Sequence, residues 1–251
     1  MAQLQGEAKR KYVAAMFARI ARSYDLMNDL MTLGMHRRWR REAARYASAG
    51  LEGPALDIAT GTGDLALALG RQEELTHIVG LDLLPEMVAL ARRKVLRAGL
   101  AGRVDLAVGD ALHLPFADNA FACVTSAFAL RNMPVLREAL AEATRVLKPG
   151  GRLLALEVTP MEGSGLLDLL LRFYIHRVVP LVGGIITSDR EAYRYLPQSI
   201  DILPTASELM LMLSELGLRD VGYKRLGVGT VTLFWGTRAR PGPTLDHRLL
   251  P

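Results

Sequence analysis

A chain of 251 residues, half of them hydrophobic, is long enough to bury one substantial core and too apolar to be a disordered chain. Its formal net charge of +5 suits an anionic partner, but no nucleic-acid reading motif or clustered aromatic platform accompanies it, so nucleic acid is not expected as a partner. The single cysteine, Cys123, excludes an internal disulfide and any multi-cysteine metal site, and no metal is expected.

From Met1 to Arg22 the chain lacks the apolar core of a secretory signal. Gln5 to Tyr24 reads as an amphipathic helix: Val13, Met16, Phe17, Ile20 and Tyr24 fall at helical spacing, with Lys9, Arg10, Lys11, Arg19 and Arg22 largely off the stripe. The expectation is a stripe docked on the domain and a solvated basic face, in preference to a helix lying on anionic lipid. Gly34 then breaks the pattern ahead of a second, arginine-rich helix start containing His36 and Trp39. His36 is isolated from other candidate ligands, which argues against a metal.

The stretch from Ala55 to Asp64 is a short apolar run, two glycines spaced by one residue, and a helix start: strand, tight loop, helix. Gly61 and Gly63 let a nucleotide-like ligand lie against bare backbone beside the free N–H groups of the helix. Gly61-x-Gly63-x-x-Ala66 fits a relaxed dinucleotide fingerprint, whereas Asp57 at the strand end disfavours a pyrophosphate and suits a cation such as S-adenosylmethionine. Both ligand classes stay open at this point, with the sulfonium ahead.

Strands and helices then alternate as a parallel sheet requires. His77 to Leu83 is a strand carrying Asp82, placed to accept both hydroxyls of a ribose. Pro85 to Arg97 is its helix, Val104 to Val108 the next strand, and Asp110 and Ala111 follow where an adenine edge would be read. Phe121 to Phe128 is a strand, with Cys123 as a small apolar filler. Val135 to Leu147 is a helix capped by Lys148-Pro149-Gly150-Gly151, and Arg152 to Val158 is the fifth strand. Thr159 to Thr205 is too long for a simple connection and reads as a lid of two helices, Leu166 to Val179 and Asp189 to Ile202. Its most lipid-like part, Leu166 to Ile186, carries Asp168, Arg172, His176 and Arg177 and is not expected to span a membrane. Ala206 to Leu216 is a helix, and Asp220 to Arg225 with Val228 to Trp235 form an antiparallel hairpin at the sheet edge. The expected division is an N-terminal helical cap (1–50), a cofactor-binding core (51–160), a lid insertion (161–205), the completion of the core (206–238) and a disordered tail (239–251).

Asp57-x-x-x-Gly61-x-Gly63, Asp82, Gly109-Asp110-Ala111 and the run from Arg145 to Gly151 resemble a class I S-adenosylmethionine-dependent methyltransferase. Outside that core lie Tyr24-Asp25-x-x-Asn28, Gly34-x-His36-Arg37-x-Trp39-Arg40, Leu130-Arg131-Asn132 and Tyr193-x-Tyr195-Leu196-Pro197-x-Ser199. With these the chain resembles the ubiquinone/menaquinone biosynthesis C-methyltransferase family, which includes demethylmenaquinone methyltransferases, from about Val13 to Gly236. The resemblance implies an α/β, Rossmann-like, mostly parallel sheet with an antiparallel C-terminal hairpin strand, N-terminal helices and a helical lid.

It also implies S-adenosyl-L-methionine held at Thr62, Asp82, Asp110 and Ala111, beside Asp57, Gly61 and Gly63 from the loop. Ala127 stands where the family has a serine, which removes one hydroxyl contact. The implied reaction is C-methylation of a prenylated quinol ring, menaquinone-type or ubiquinone-type, by a cytoplasmic enzyme with peripheral contact at the inner face of the membrane and homodimerisation left open. Arg131 is the candidate cation for the phenolate and Asn132 for orienting the ring oxygen, with Tyr24, Tyr195 and His36 as further catalytic candidates for ring packing or proton relay. The alternatives are a methyltransferase acting on another small or lipid-like substrate, and a nicotinamide-dependent oxidoreductase or non-catalytic nucleotide-binding module.

Overall fold

Strand alternation sets the layers. Along β1, Gly53–Ile58, Ala55 packs into the core on one face of the sheet while Leu56 and Ile58 pack into the core on the other. The same split recurs on β5, Leu147–Val158, where Leu154 and Leu156 oppose Leu153 and Ala155. The computed structural model describes residues 4–161, 163, 165–187 and 189–240. Within them, β2 (Leu75–Asp82), β3 (Val104–Val108), β4 (Phe121–Ala127), β6 (Leu218–Leu226) and β7 (Val231–Arg238) complete a seven-stranded sheet of order β3-β2-β1-β4-β5-β7-β6. The first five strands pair in parallel, and β7 pairs antiparallel with both β5 and β6.

Parallel neighbours need a crossover, and the helices supply it. On one face pack α3 (Met35–Ser48), α4 (Asp64–Leu69) and α5 (Pro85–Arg97); on the other pack α6 (Leu136–Val146) and α10 (Ala206–Glu215). Helix α5 has the bounds its periodicity predicts, with Pro85 in the first turn, where its missing N–H costs nothing. Lys148 to Gly151, expected to be a helix cap, instead belong to β5, which begins as α6 ends. Gly150, at φ 81, absorbs the irregularity there.

The N-terminal helix breaks earlier than its apolar stripe suggests. It forms α1 (Gly6–Ile20), a 3₁₀ turn (Ala21–Ser23) and α2 (Tyr24–Thr32). The apolar lid helix runs further than expected, through α7 (Leu166–Phe173), a π turn (Tyr174–Val178) and α8 (Val179–Thr187). The wide turn stands directly before Pro180, which has no N–H to give the preceding turn. The second lid helix is α9 (Arg190–Asp201). Met16, Ile20 and Met27 bury against Ala192, Tyr193 and Tyr195, so cap and lid share a small core of their own. Arg19 reinforces it by donating to Asp189 at 2.9 Å and to Glu191 at 3.3 Å. Of the tail expected from 239 onward, residues 241–251 lie outside the described residues.

Candidate active site

The strand order reverses between β1 and β4, and an open α/β sheet leaves a crevice beyond the carboxyl ends of such a pair. Ala59 (φ 52) follows β1 and Phe128 (φ 60) follows β4, both left-handed without being glycine. Conformations of this kind cost about 1–3 kcal/mol each, and the fold holds two of them at the mouth of the crevice. The two loop glycines have different duties. A Cβ on Gly63 would sit 3.0 Å from that of Ala91, so α5 packs directly against bare backbone. A Cβ on Gly61 would meet only Tyr24, at 4.0 Å, so the space over Gly61 belongs to a ligand.

That space is a cavity of about 120 Å³ bordered by Gly61, Asp82, Asp110, Ala111, Ala127 and Asn132. Asp82 Oδ2 accepts from Gly61 N–H at 2.7 Å and Oδ1 from Leu84 N–H at 3.0 Å, with lone pairs left on each oxygen for further donors. Burial raises the Asp82 carboxyl above its ordinary range, against the opposing effect of these N–H bonds. Asp110 Oδ1 accepts from Leu112 N–H at 3.0 Å, and its other oxygen lies 3.4 Å from Arg10 Nη2. Arg10 was expected on a solvated face; it turns into the cavity instead, because the 3.6-residue repeat places it beside Val13, Ala14 and Phe17 on the wall.

Asp57, Thr62 and Gly63, read as cofactor contacts, brace the loop from beneath. Asp57 is 1% exposed and accepts from Thr60 at 2.6 Å and Thr125 at 2.8 Å, which joins the loop to β4. Desolvation pushes its carboxyl up to about 6. Thr62 gives its hydroxyl to Asp25 at 2.6 Å, and Lys94 donates to Asp25 at 3.0 Å and also pairs with Asp64. The cap is thereby fastened to the glycine loop. Asp25 and Asn28 stood in the sequence motif quoted above, but their partners are distant in the chain and no role could be read for them.

A second chamber, of about 50 Å³, adjoins the first and shares Phe17, Tyr24 and Asn132 with it. Tyr195 borders this chamber. A third cavity, of about 500 Å³ and mostly apolar, shares Asn28, Met31, Arg131 and Leu196 with the second. Arg131 is not the free cation expected. It is 9% exposed, its Nη1 donates to Glu157, which is fully buried, and its backbone N–H reaches the same carboxylate at 3.3 Å. His36 also has both ring nitrogens engaged: Nε2–H donates to Asp29 at 2.8 Å, and Nδ1 accepts from Arg40. Burial lowers its pKa, and the neutral ring borders the apolar cavity and not the crevice, which leaves no free nitrogen for a relay.

The model of the ubiE/COQ5 methyltransferase family matches residues 5–238. The chain belongs to that family. It is 39% identical over 235 residues to the ubiquinone/menaquinone biosynthesis C-methyltransferase UbiE of Rickettsia bellii, covering 92% of this chain and 94% of that one. It is 44% identical over 223 residues to the demethylmenaquinone methyltransferase of Thermus thermophilus, covering 89% of this chain and all of the other. In fold it is similar to an S-adenosylmethionine-dependent methyltransferase from Aquifex aeolicus, with a TM-score of 0.56 at 20% identity over 79% of this chain and 88% of that one. This family member is an S-adenosylmethionine-dependent C-methyltransferase, and its crevice fits the cofactor: open backbone at Gly61, an acceptor carboxylate at the end of β2 and a second at Asp110. The ubiE/COQ5 chain accordingly has no need of the nicotinamide reading.

Gly61→Val is expected to abolish S-adenosylhomocysteine binding in calorimetry while the melting temperature falls only a few degrees, since the added side chain strains one left-handed residue and fills ligand space. Asp57 gives a pH signature. Its folded value, near 6, lies above the ordinary 3.8, so its contribution to stability is complete below about pH 4 and is lost as pH rises through 6. Denaturant unfolding between pH 7.5 and 4.5 should show wild type gaining about 2 kcal/mol on acidification relative to Asp57→Asn. Parallel curves for the two proteins would exclude the shift.

Proposed function

We propose that the protein methylates a ring carbon of a prenylated quinol, of the demethylmenaquinol or benzoquinol type, that it takes from a membrane surface. The observation that carries this reading is the sequence of spaces: cofactor crevice, a small chamber bordered by Asn28, Arg131 and Asn132, then an apolar cavity of about 500 Å³. A polar phenol or small acid would leave that last cavity unused. A prenyl chain matches its walls, which include Trp39, Leu171, Ile175, Val179 and Val231.

Gly61, Asp82, Asp110 and Ala111 would hold S-adenosylmethionine in the crevice, where it would supply an electrophilic methyl on a cationic sulfur that leaves as a neutral thioether, while the methylated ring carbon's proton returns to the ionised ring oxygen and restores aromaticity. The chain's own residues hold the ring in reach and exclude water. Helices α1 and α2 close over the crevice and α9 over the chamber, so the reacting atoms meet in a low dielectric where positioned charges act strongly. Carbon becomes nucleophilic once the adjacent hydroxyl ionises. Arg131 borders the chamber with Nη1 on Glu157, which fixes the guanidinium plane and leaves the rest of the fork for the phenolate.

The lid supports the membrane part of the reading. Leu166, Leu169, Leu170, Phe173, Leu181 and Ile185 are exposed on α7 and α8, and Leu33 and Val228, at the border of the apolar cavity, are exposed as well. Among the described residues, Leu166–Ile186 is long and apolar enough to cross a membrane, but its charged residues Asp168, Arg172 and Arg177 favour a helix lying in the interface.

Purified protein given S-adenosylmethionine and a short-chain demethylated naphthoquinol or benzoquinol should form the C-methylated ring and S-adenosylhomocysteine. Cofactor binding without product on either ring would refute the substrate class. In flotation with anionic vesicles the wild type should rise with the lipid, and Leu170→Glu with Phe173→Glu should stay below. Arg131→Ala should lower stability by about 3–5 kcal/mol, because it strands the buried Glu157, and should lower turnover per folded enzyme on the order of 100-fold. Arg131→Met combined with Glu157→Met should recover melting temperature but not turnover. Recovery of both would make Arg131 purely structural.

A further inference from the structure

The crevice has the chemistry for the cofactor but not the room. Its volume is about 120 Å³. Pockets that hold a ligand of the cofactor's class run to roughly 300–1,000 Å³. Four of the wall residues, Arg10, Val13, Ala14 and Phe17, belong to α1, so an outward shift of this one helix widens the crevice most directly. A joint for such a shift exists. The 3₁₀ turn Ala21–Ser23 separates α1 from α2, and α2 is fastened to the glycine loop through Asp25 and to α3 through Asp29.

One charged contact ties α1 to the opposite wall. Arg10 Nη2 lies 3.4 Å from Asp110 Oδ2, while Nη1 donates to Glu7 Oε2, one turn back on α1, at 3.3 Å. The guanidinium thus spans two carboxylates, one on the helix that moves and one on the wall that stays. The two oxygens of Asp110 differ: Oδ1 accepts from Leu112 N–H at 3.0 Å, whereas Oδ2 faces Arg10. Among the described residues the other charged neighbour of Oδ2 is His113, whose Nδ1 at 3.9 Å is beyond bonding distance. Oδ2 is therefore the oxygen open to a ligand's donor, and Arg10 stands on it. Both side chains are partly exposed, at 38% and 21%, so the contact is weak enough to be exchanged.

We propose that Arg10 is a catch on the cap: between turnovers it holds α1 down on Asp110, and the adenine amino group of the cofactor, by taking the same oxygen, returns Arg10 to Glu7 and lets the crevice widen. Asp110 exchanges a cation for a neutral donor, and Arg10 keeps a carboxylate throughout, so the exchange leaves neither charge without a partner. The inference rests on the cofactor and is independent of the methyl acceptor. Two groups that seek one oxygen compete, and competition fixes the sign of every effect. A residue that clamps the cofactor tightens its binding, whereas a residue that must be displaced weakens it, because only the difference in affinity between the two cap positions shifts their balance.

The test follows S-adenosylhomocysteine by calorimetry and stopped-flow. Arg10→Met keeps helix propensity and removes the charge. It should bind this ligand about two- to fivefold more tightly than wild type and take it up faster by a similar factor, the effect of releasing one exposed ion pair. Raising salt from about 50 to about 500 mM should speed uptake by wild type more than by Arg10→Met, since screening loosens the catch. The other pairs that hold the cap, Lys94 with Asp25 and Arg19 with Asp189, are screened in both proteins and cancel in the comparison. Glu7→Gln removes the second partner of Arg10 and should shift affinity the opposite way, toward weaker binding. A purely structural Arg10 would lower the melting temperature of Arg10→Met without tightening the ligand. Weaker binding by Arg10→Met would make Arg10 a clamp on the cofactor, and equal affinities with equal salt responses would make the pair inert; either result overturns the inference.

Discussion

Two buried carboxylates at the ends of adjacent parallel strands hold the site in shape. Asp57 ties β1 to the loop through Thr60 and to β4 through Thr125, and Asp82 ties β2 to the same loop through the Gly61 N–H. Each group would cost several kcal/mol to bury unpaired, and each is satisfied by neutral donors instead of a cation. The loop is therefore fixed without spending a positive charge, and the crevice above it keeps a negative potential toward a cationic ligand. The strained backbone at Ala59 and Phe128 persists because these bonds over-determine it.

From this base the cap and lid are built outward by a mixture of charge and apolar packing. The Thr62, Asp25 and Lys94 bonds fasten α2 to the loop, while Met16, Ile20 and Met27 join it to α9. Lys94 and Asp25 are partly exposed, at 24% and 43%, so that contact is screened and modest in strength; the apolar cluster carries most of the docking. A roof held this way can open without unfolding the sheet, which a ligand entering or leaving the crevice requires. The Arg131 and Glu157 pair belongs to the other class. Buried on both sides, it offers little net stability relative to apolar residues but fixes the direction of a guanidinium at the chamber wall.

The parts of the fold legible from residues alone were those governed by local rules. The periodicity of α5, the alternation of the strands and the glycine loop all follow from spacing within a few residues, and the element order followed from them. The errors share a cause as well. The π turn before Pro180, the early break at Ala21 and the strand that absorbs Lys148 to Gly151 are set by what each segment packs against. For the site, the structure puts Gly61, Asp82, Asp110 and Ala111 on the crevice wall, while Asp57 and Thr62 also bond to neighbouring elements and Gly63 packs against α5, partners that no local spacing shows.

By itself, the sequence determined the class of chemistry: a strand, a bare-backbone loop and an acidic strand end can be read in order along the chain, and the motifs around them identified the family. Tertiary structure alone decided which polar groups are free. Arg131 became a paired charge because Glu157 lies beside it across 26 residues of chain, and Thr62 turned to the cap because Asp25 reaches it across 37. Asn28, Asn132 and Tyr195 became a single chamber because three distant elements close on one point. The physical reason is that a side chain's availability depends on its partners, and long-range partners are chosen by packing, which no local pattern encodes.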